Sequence, residues 1–333
     1  MKATTFNRHL GFPAVFFPAL AFLSGSAVAA VVTTPAIIGS GSPFSGSYTA
    51  SNLFDGSKDT DYASQGGGAA GTWVSLDFGA AVSIDRVVLV TRNNNVDVVA
   101  GSQLIYSADA TFDGSDPVIG LGAAGDSGIG KLVSFASINT RYVKWQVTTS
   151  GGPANNLGGT EMRFLSTPAG TEIHTPTVIG GYAAYNGDYA LQNAANGVLG
   201  TDYSGREYAT NAGGTGTYVD FDMGTTISIA GFDFFDRIGA LDRITAFDLI
   251  FSNDPAFATT VDTLAFAPGT QWGYGETFTP VDARYVRFQA TAAVGGNPGM
   301  QEMVFYKSTI PEPSVPLLGI SMLGAGLLIR RRS

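Results

Sequence analysis

Few side chains in this sequence could carry acid–base or nucleophilic chemistry. There are two histidines and no cysteine in 333 residues. His9 falls in an apolar N-terminal stretch, and His174 stands alone near the junction of two repeats, where a surface role is expected. A serine triad would need His174 as its base without any supporting motif. Asp and Glu are plentiful at 27, and two carboxylates could hydrolyse a glycoside without histidine. The best-placed acids, however, recur at equivalent turns and strand ends in both halves, as framework residues do. The expectation is a non-catalytic protein. Binding chemistry is the better prospect. Arg92-Asn93-Asn94-Asn95 follows a strand-like run and offers donors and acceptors together. Its counterpart is Arg237, with Arg243 nearby. Trp272 and Tyr274 lie in the glycine-rich stretch from Gly269 to Gly275, which reads as unable to bury both. Planar polar groups recognise sugar hydroxyls and aromatic faces cover sugar C–H patches, so these eight residues are the candidate ligand site. The alternatives stay open: Asn-rich turns arise for conformational reasons, and either arginine could pair with acids inside the fold. Trp73 and Trp145 are expected in the core by strand position.

Two sister stretches position these residues. Thr72 to Gly79 and Thr217 to Gly224 each alternate apolar and polar residues and end on glycine. Val74, Leu76 and Phe78 share one face, as do Val219, Phe221 and Met223; this is the period of a half-buried strand. The offset of 145 between them belongs to a longer series. An offset of 141 pairs Gly46-Ser47-Tyr48 with Gly187-Asp188-Tyr189, Asp55-Gly56 with Asn196-Gly197, and Thr60-Asp61-Tyr62 with Thr201-Asp202-Tyr203. An offset of 143 pairs Arg141-Tyr142-Val143 with Arg284-Tyr285-Val286, and 141 returns for Glu161-Met162 and Glu302-Met303. One domain is written twice, and the length changes fall between strands, where loops absorb them.

The composition agrees with an all-β reading. Glycine is abundant at 44 residues, only 14% of residues are charged, and no long helical periodicity occurs. Two β-sandwiches of ordinary size are expected, each burying its own core and folding as an independent shell. The boundaries read as 30–166 and 176–308, with a linker at 167–175.

Both ends carry addresses. Lys2 and Arg8 precede an apolar run from Leu10 to Leu23, and Ala27-Val28-Ala29 offers small residues for cleavage, so residues 1–29 read as a secretory signal. Residues 309–333 hold Pro311-Glu312-Pro313, an apolar run from Leu317 to Ile329, then Arg330, Arg331 and Arg332. Thirteen helical residues span roughly 20 Å, short of a ~30 Å hydrocarbon core, and the arginines should stay cytoplasmic. Removing the five basic residues of leader and tail leaves 13 basic against 27 acidic residues, a net of −14. A phosphate backbone would be repelled, so nucleic acid is not an expected partner.

The tripartite C-terminus resembles the PEP-CTERM sorting signal, which exosortase-type enzymes process in Gram-negative bacteria that make extracellular polysaccharide. A permanent short anchor is the alternative. Each repeat resembles the discoidin-like, coagulation-factor type C family, which includes family 32 carbohydrate-binding modules. In the first repeat the resemblance rests on Asn52 to Gly56, Trp73 to Gly79, Ile84 to Leu89, Arg141 to Trp145 and Glu161-Met162. In the second it rests on Asn193 to Gly197, Tyr218 to Gly224, Arg284 to Phe288 and Glu302-Met303. It implies two tandem jelly-roll sandwiches whose loops at one end bind ligands. It also implies a structural Ca²⁺, held in the first repeat by Asp55, Thr60 and Glu161 with loop carbonyls, and in the second by Asn196, Thr201 and Glu302. Asn in place of Asp keeps an oxygen but loses a charge, so the second site should be the weaker. The function that follows is an exported, non-catalytic glycan-binding protein of the cell surface or matrix, engaging exopolysaccharide. A structural or adhesion protein binding other proteins is the alternative, and a polysaccharide hydrolase the third.

Overall fold

The computed structural model describes residues 34–57, 59–66, 68–92, 94, 96–123, 129–153, 156–200, 205–237, 241–269 and 271–309. Residues 1–29, Pro311, Glu312, Pro313, Arg330, Arg331 and Arg332 lie outside them, as do Asn93, Asn95 and Thr201. Among the described residues, no helix is long and apolar enough to cross a membrane.

The chain is nearly all β. The first repeat contributes β1 (Ala36–Ser40), β2 (Tyr62–Ala63), β3 (Trp73–Thr91), β4 (Val99–Ser107), β5 (Val118–Gly122), β6 (Ile129–Ser150) and β7 (Gly158–Leu165). The second contributes β8 (Thr171–His174), β9 (Thr177–Gly181), β10 (Val198–Gly200), β11 (Tyr208–Ala209), β12 (Tyr218–Asp236), β13 (Ile244–Ser252), β14 (Asp262–Phe266), β15 (Gly273–Ala293) and β16 (Gly299–Ser308). The strands pair antiparallel in the order β2-β7-β3-β6-β4-β5 in one repeat and β11-β16-β12-β15-β13-β14 in the other.

Each sandwich is built by long strands that serve both layers. Along β3, pairing with β6 lapses between Asp77 and Val82, and the strand then continues beside β7. Gly79 sits in this lapse at φ +78°, a left-handed conformation that glycine adopts without a Cβ clash. Gly224 repeats it in β12 at φ +79°. A bidentate arginine pins each bend: Arg141 to Asp77 at 2.8 and 2.9 Å, and Arg284 to Asp222 at 2.9 and 3.0 Å. Val74 and Leu76 then face Val87 and Leu89 across one core, with Trp145 fully buried among them. Phe221, Phe232, Phe234, Phe247 and Phe288 fill the other. Trp73 departs from the core expectation. It is only half-buried, on the opposite face from Val74, with Lys144 Nζ 4.7 Å from its ring centre.

The two shells are not independent, contrary to expectation. Alternate residues of the strands that should face solvent face the other repeat instead. Val88, Val90 and Leu165 of the first repeat pack with Leu199, Phe235 and Trp272 of the second in a third buried cluster. Strand β10 leaves its own repeat to pair with β6 of the first, Val198 opposite Lys131 and Gly200 opposite Ile129. At the centre, Arg86 is 0% exposed and reaches across to Asp233, also 0% exposed, at 2.7 Å. The Tyr306 hydroxyl accepts from Arg86 and donates to Asp233. Burial pushes Asp233 up from the usual carboxylate range while Arg86 and Tyr306 pull it back. The linker is shorter than expected, since Thr171–His174 already pairs with β16. His174 Nε2 lies 3.1 Å from the Met223 carbonyl oxygen, held within the fold.

The repeat register also needs one correction. Tyr62-Ala63 lies opposite Gly158-Gly159 and Tyr208-Ala209 opposite Gly299-Met300, so the true counterpart of Tyr62 is Tyr208 rather than Tyr203. The loop ahead of it is longer in the second repeat. The added length includes β10, the strand that joins the two repeats.

Candidate functional site

At one rim of each sandwich an arginine is held in a cage of acids beneath aromatic rings. Arg92 leaves the end of β3 only 7% exposed. Its Nε donates to Asp61 at 3.2 Å, and its Nη1 donates to Asp97 at 2.8 Å and to the Asn156 carbonyl at 2.6 Å. Asn94 donates to the same Asp97 at 2.9 Å and caps the turn by accepting from the Val96 N–H. The guanidinium lies 5.4 Å from the ring centre of Tyr48, which in turn meets Phe44 edge-on at 5.7 Å.

The second repeat reproduces the arrangement. Arg237, 9% exposed, donates to Glu207 at 2.9 and 2.7 Å, to Asp242 at 3.2 Å and to the Asn297 carbonyl at 2.7 Å. It lies 5.7 Å from the Tyr189 ring centre, and Tyr189 meets Tyr185 edge-on at 5.7 Å. Buried charges persist only where paired and hydrogen-bonded, as these are, so both arginines are positioning groups. The alternative of pairing within the fold, open in the sequence, is the one observed.

The exposed chemistry is aromatic and apolar. Phe44 is 52% exposed and Tyr185 51%, while Val96 and Leu241 at the same turns are 44% and 80% exposed. These residues were missed in the sequence, yet a signal was present: Phe44 and Tyr185 keep the 141 offset, and Val96 and Leu241 the 145 offset. A flat ring backed by a fixed cation and edged by amide groups can cover a sugar C–H face.

The aromatic residues expected at the site are elsewhere. Trp272 is 1% exposed, tilted against Phe235 at 5.4 Å between the repeats, and so cannot serve as an open platform. The glycine-rich stretch buries it because β10 and the first repeat cover it from outside. Tyr274 is part-buried against the second core and donates to Glu276. Arg243, next to the cage acid Asp242, donates from Nη2 to the Gly56 carbonyl of the first repeat at 3.1 Å. Arg92, Asn94 and Arg237 remain at the rims, and Asn93 and Asn95 fall outside the described residues.

The expected cation ligands of the first repeat do converge. Asp55 ends the turn Ala50–Phe54 and accepts from Thr60 Oγ1 at 2.6 Å and from the Ser57 N–H at 2.9 Å. Glu161 lies beside Asp55 and is 0% exposed; neither oxygen has a well-formed hydrogen bond, although the Gly56 N–H is near enough to draw its pKa down. Burial first, then the nearby Asp55 charge, pushes its pKa up to about 8, against a downward pull from Arg163, whose Nη1 is 3.1 Å away. An orphaned buried carboxylate next to a second carboxylate and a hydroxyl fits a hard divalent cation needing oxygen ligands. In the second repeat the fit is poorer. Glu302 accepts from the backbone N–H groups of Asn196 at 3.1 Å and Gly197 at 2.8 Å, so its demand is met by the loop. Burial pushes it too up to about 8. Among the described residues no three acidic or histidine side chains cluster as a metal group.

Rim and cation loop are mechanically joined in the first repeat. Asp61 follows Thr60 and Thr160 precedes Glu161, and Thr160 Oγ1 donates to Asp61 Oδ1 at 2.8 Å. Anything fixing Asp55, Thr60 and Glu161 therefore stiffens the cage around Arg92.

Residues 177–303 match the F5/8 type C domain, and residues 39–165 match a domain of unknown function, DUF7402. No curated protein sequence matches the chain. Among solved structures, the chain is similar to a fucolectin from serum of striped bass, Morone saxatilis, at 13% identity and TM-score 0.34, covering 83% of this chain and 96% of that one. It is similar to the CBM32-1 and CBM32-2 domains of ZmpB from Clostridium perfringens at 11% identity and TM-score 0.35, covering 84% and 94%. It is also similar to a chitosan-binding module from a chitosanase/glucanase of Paenibacillus sp. IK-5 at 20% identity and TM-score 0.33, covering 40% and 98%. The family match to the F5/8 type C domain covers residues 177–303, which is the second repeat.

Proposed function

We propose that this is an exported, non-catalytic glycan-binding protein that engages extracellular polysaccharide through the aromatic rims of its two sandwiches. The observation that carries the reading is the duplicated rim, in which Phe44 and Tyr185 stand half-exposed edge-on to Tyr48 and Tyr189, the rings that lie over the caged Arg92 and Arg237. A purely structural turn would not need the same ring pair kept open twice. The F5/8 type C match of the second repeat supports it, because the family it resembles includes carbohydrate-binding modules. In this reading a Ca²⁺ bound by Asp55, Thr60 and Glu161 braces the first rim, and its charge settles the orphaned Glu161 carboxylate. The leader directs export. The PEP-CTERM-like tail is processed by an exosortase-type enzyme at the envelope of a Gram-negative cell, leaving the protein on the surface or in the matrix.

Titrating the purified chain with glycans from a polysaccharide panel, calcium present, tests the binding role. Binding that falls at least tenfold in a Phe44→Ala, Tyr185→Ala double variant is the expected result. A folded wild-type chain that binds no sugar at millimolar concentration refutes it.

A further inference from the structure

The two repeats differ around their cation loops in a way that the shared ancestry makes legible. Where the first has Asp55, the second has Asn196; where the first has Arg163, the second has Val304 at the same distance from the late glutamate. An added acid and an added base appear together. Arg163 lies against Glu161 at 3.1 Å, donates from Nη1 to the Met162 carbonyl at 3.0 Å, and has 13% of its side chain exposed. Its guanidinium also stands 5.8 Å from the ring centre of Trp272, across the join between the repeats. There a cleft of about 350 Å³ is lined by Phe54, Asp55 and Gly56 from one side, by Gln271, Trp272 and Gly273 from the other, and by Arg163 itself.

We infer that Arg163 is a resident counter-ion for the Asp55–Glu161 site. A divalent cation must displace it from Glu161, and the freed guanidinium moves further into the cleft against Trp272. The inference rests on the cation reading above, but goes beyond it by making the site competitive and by tying its occupancy to the join between repeats. Three observations support it. Glu161 has no well-formed hydrogen bond at either oxygen although Arg163 touches it at 3.1 Å and the Gly56 N–H is near, so the contact offsets charge while leaving the carboxylate poorly satisfied. Space for the displaced side chain exists on the far side of Gly56. In the repeat without the arginine, two well-formed backbone hydrogen bonds at 3.1 and 2.8 Å hold the glutamate, so the arginine accompanies only the version that the backbone meets poorly.

Calorimetric titration of the purified chain with calcium alone, alongside Arg163→Val, Arg163→Gln and Glu161→Gln variants, tests this. Removing a unit charge at 3.1 Å from a ligand oxygen should tighten calcium binding by on the order of tenfold or more. Arg163→Gln keeps a long polar side chain and must tighten binding too, which separates charge from packing. Glu161→Gln should abolish binding. Calcium should also shift the indole emission of the wild type, a shift lost in Trp272→Phe and in Arg163→Val. Binding by Arg163→Val and not by the wild type would also support the competition. Equal or weaker binding by both arginine variants overturns this inference and leaves the cation reading standing. Absence of binding in every variant overturns both.

Discussion

Replacing Arg86 by methionine should be the most damaging single change at the join. Asp233 would then keep its Tyr306 donor but lose its only counter-charge among the described residues, while remaining fully buried. Stranding a buried charge in this way costs about 3–5 kcal/mol, roughly a fifth or more of the 5–15 kcal/mol available to a typical domain. The same reasoning makes a second statement about the pair. Exchanging both partners for apolar residues removes the desolvation penalty along with the attraction, so R86M/D233L should recover most of the loss and could exceed the wild type. Urea denaturation followed by tryptophan emission and by far-UV circular dichroism measures both. Trp272 reports the join and Trp145 the first core, so an early emission transition would show the repeats parting before they unfold. A cost below about 1 kcal/mol for R86M, or a double variant no more stable than R86M, would refute the argument that the ion pair is held by its own desolvation.

Glu161 and Glu302 make stability depend on pH. Both have folded pKa values near 8 against an ordinary 4.5, so the folded state holds protons that the unfolded chain releases. Their contribution to stability is full below about pH 4.5 and is lost as pH rises towards 8, by up to a few kcal/mol per group. Thermal melts across that window should show the decline, E161Q and E302Q should flatten it, and added calcium should reverse it in the first repeat alone. Gly158→Ala and Gly299→Ala should each prevent stable folding. A Cβ there would fall 1.8 Å from the Tyr62 carbonyl oxygen or 1.9 Å from that of Tyr208, and soluble expression with a cooperative melt would contradict this. Leu199→Asp should loosen the join by placing a charge in the third cluster, seen as limited proteolysis near the 171–181 segment that the wild type resists.

Much of the fold was legible because a half-buried strand announces itself by period two, as from Trp73 to Gly79, and because duplication supplies every pattern twice. The join was not. It depends on residues that are distant in sequence, such as Arg86 and Asp233, and no local pattern states that they meet. A hint was nonetheless present. Val87-Val88-Leu89-Val90 and Phe232 to Phe235 are nearly apolar on both faces, which suits a strand covered on both sides. Reading the glycine-rich stretch around Trp272 as solvent-exposed failed because openness there is decided by β10, a strand from a loop insertion. That Asp55, Thr60 and Glu161 come together in the first repeat was readable, because they flank fixed strand ends. The arginines were found and their role was not: the acceptors that cage Arg92, Asp61, Asp97 and the Asn156 carbonyl, come from three separate segments.

The welded join makes the chain a ruler. Because the repeats share a strand and a buried cluster, the spacing and tilt of the two rims are set by the fold rather than by a slack tether. On the proposed function, a polymer whose repeat matches that spacing would meet the second rim without further loss of freedom, whereas one out of step would occupy a single rim only. Selectivity between long chains would then be written in the distance between two weak contacts, and not in either contact alone.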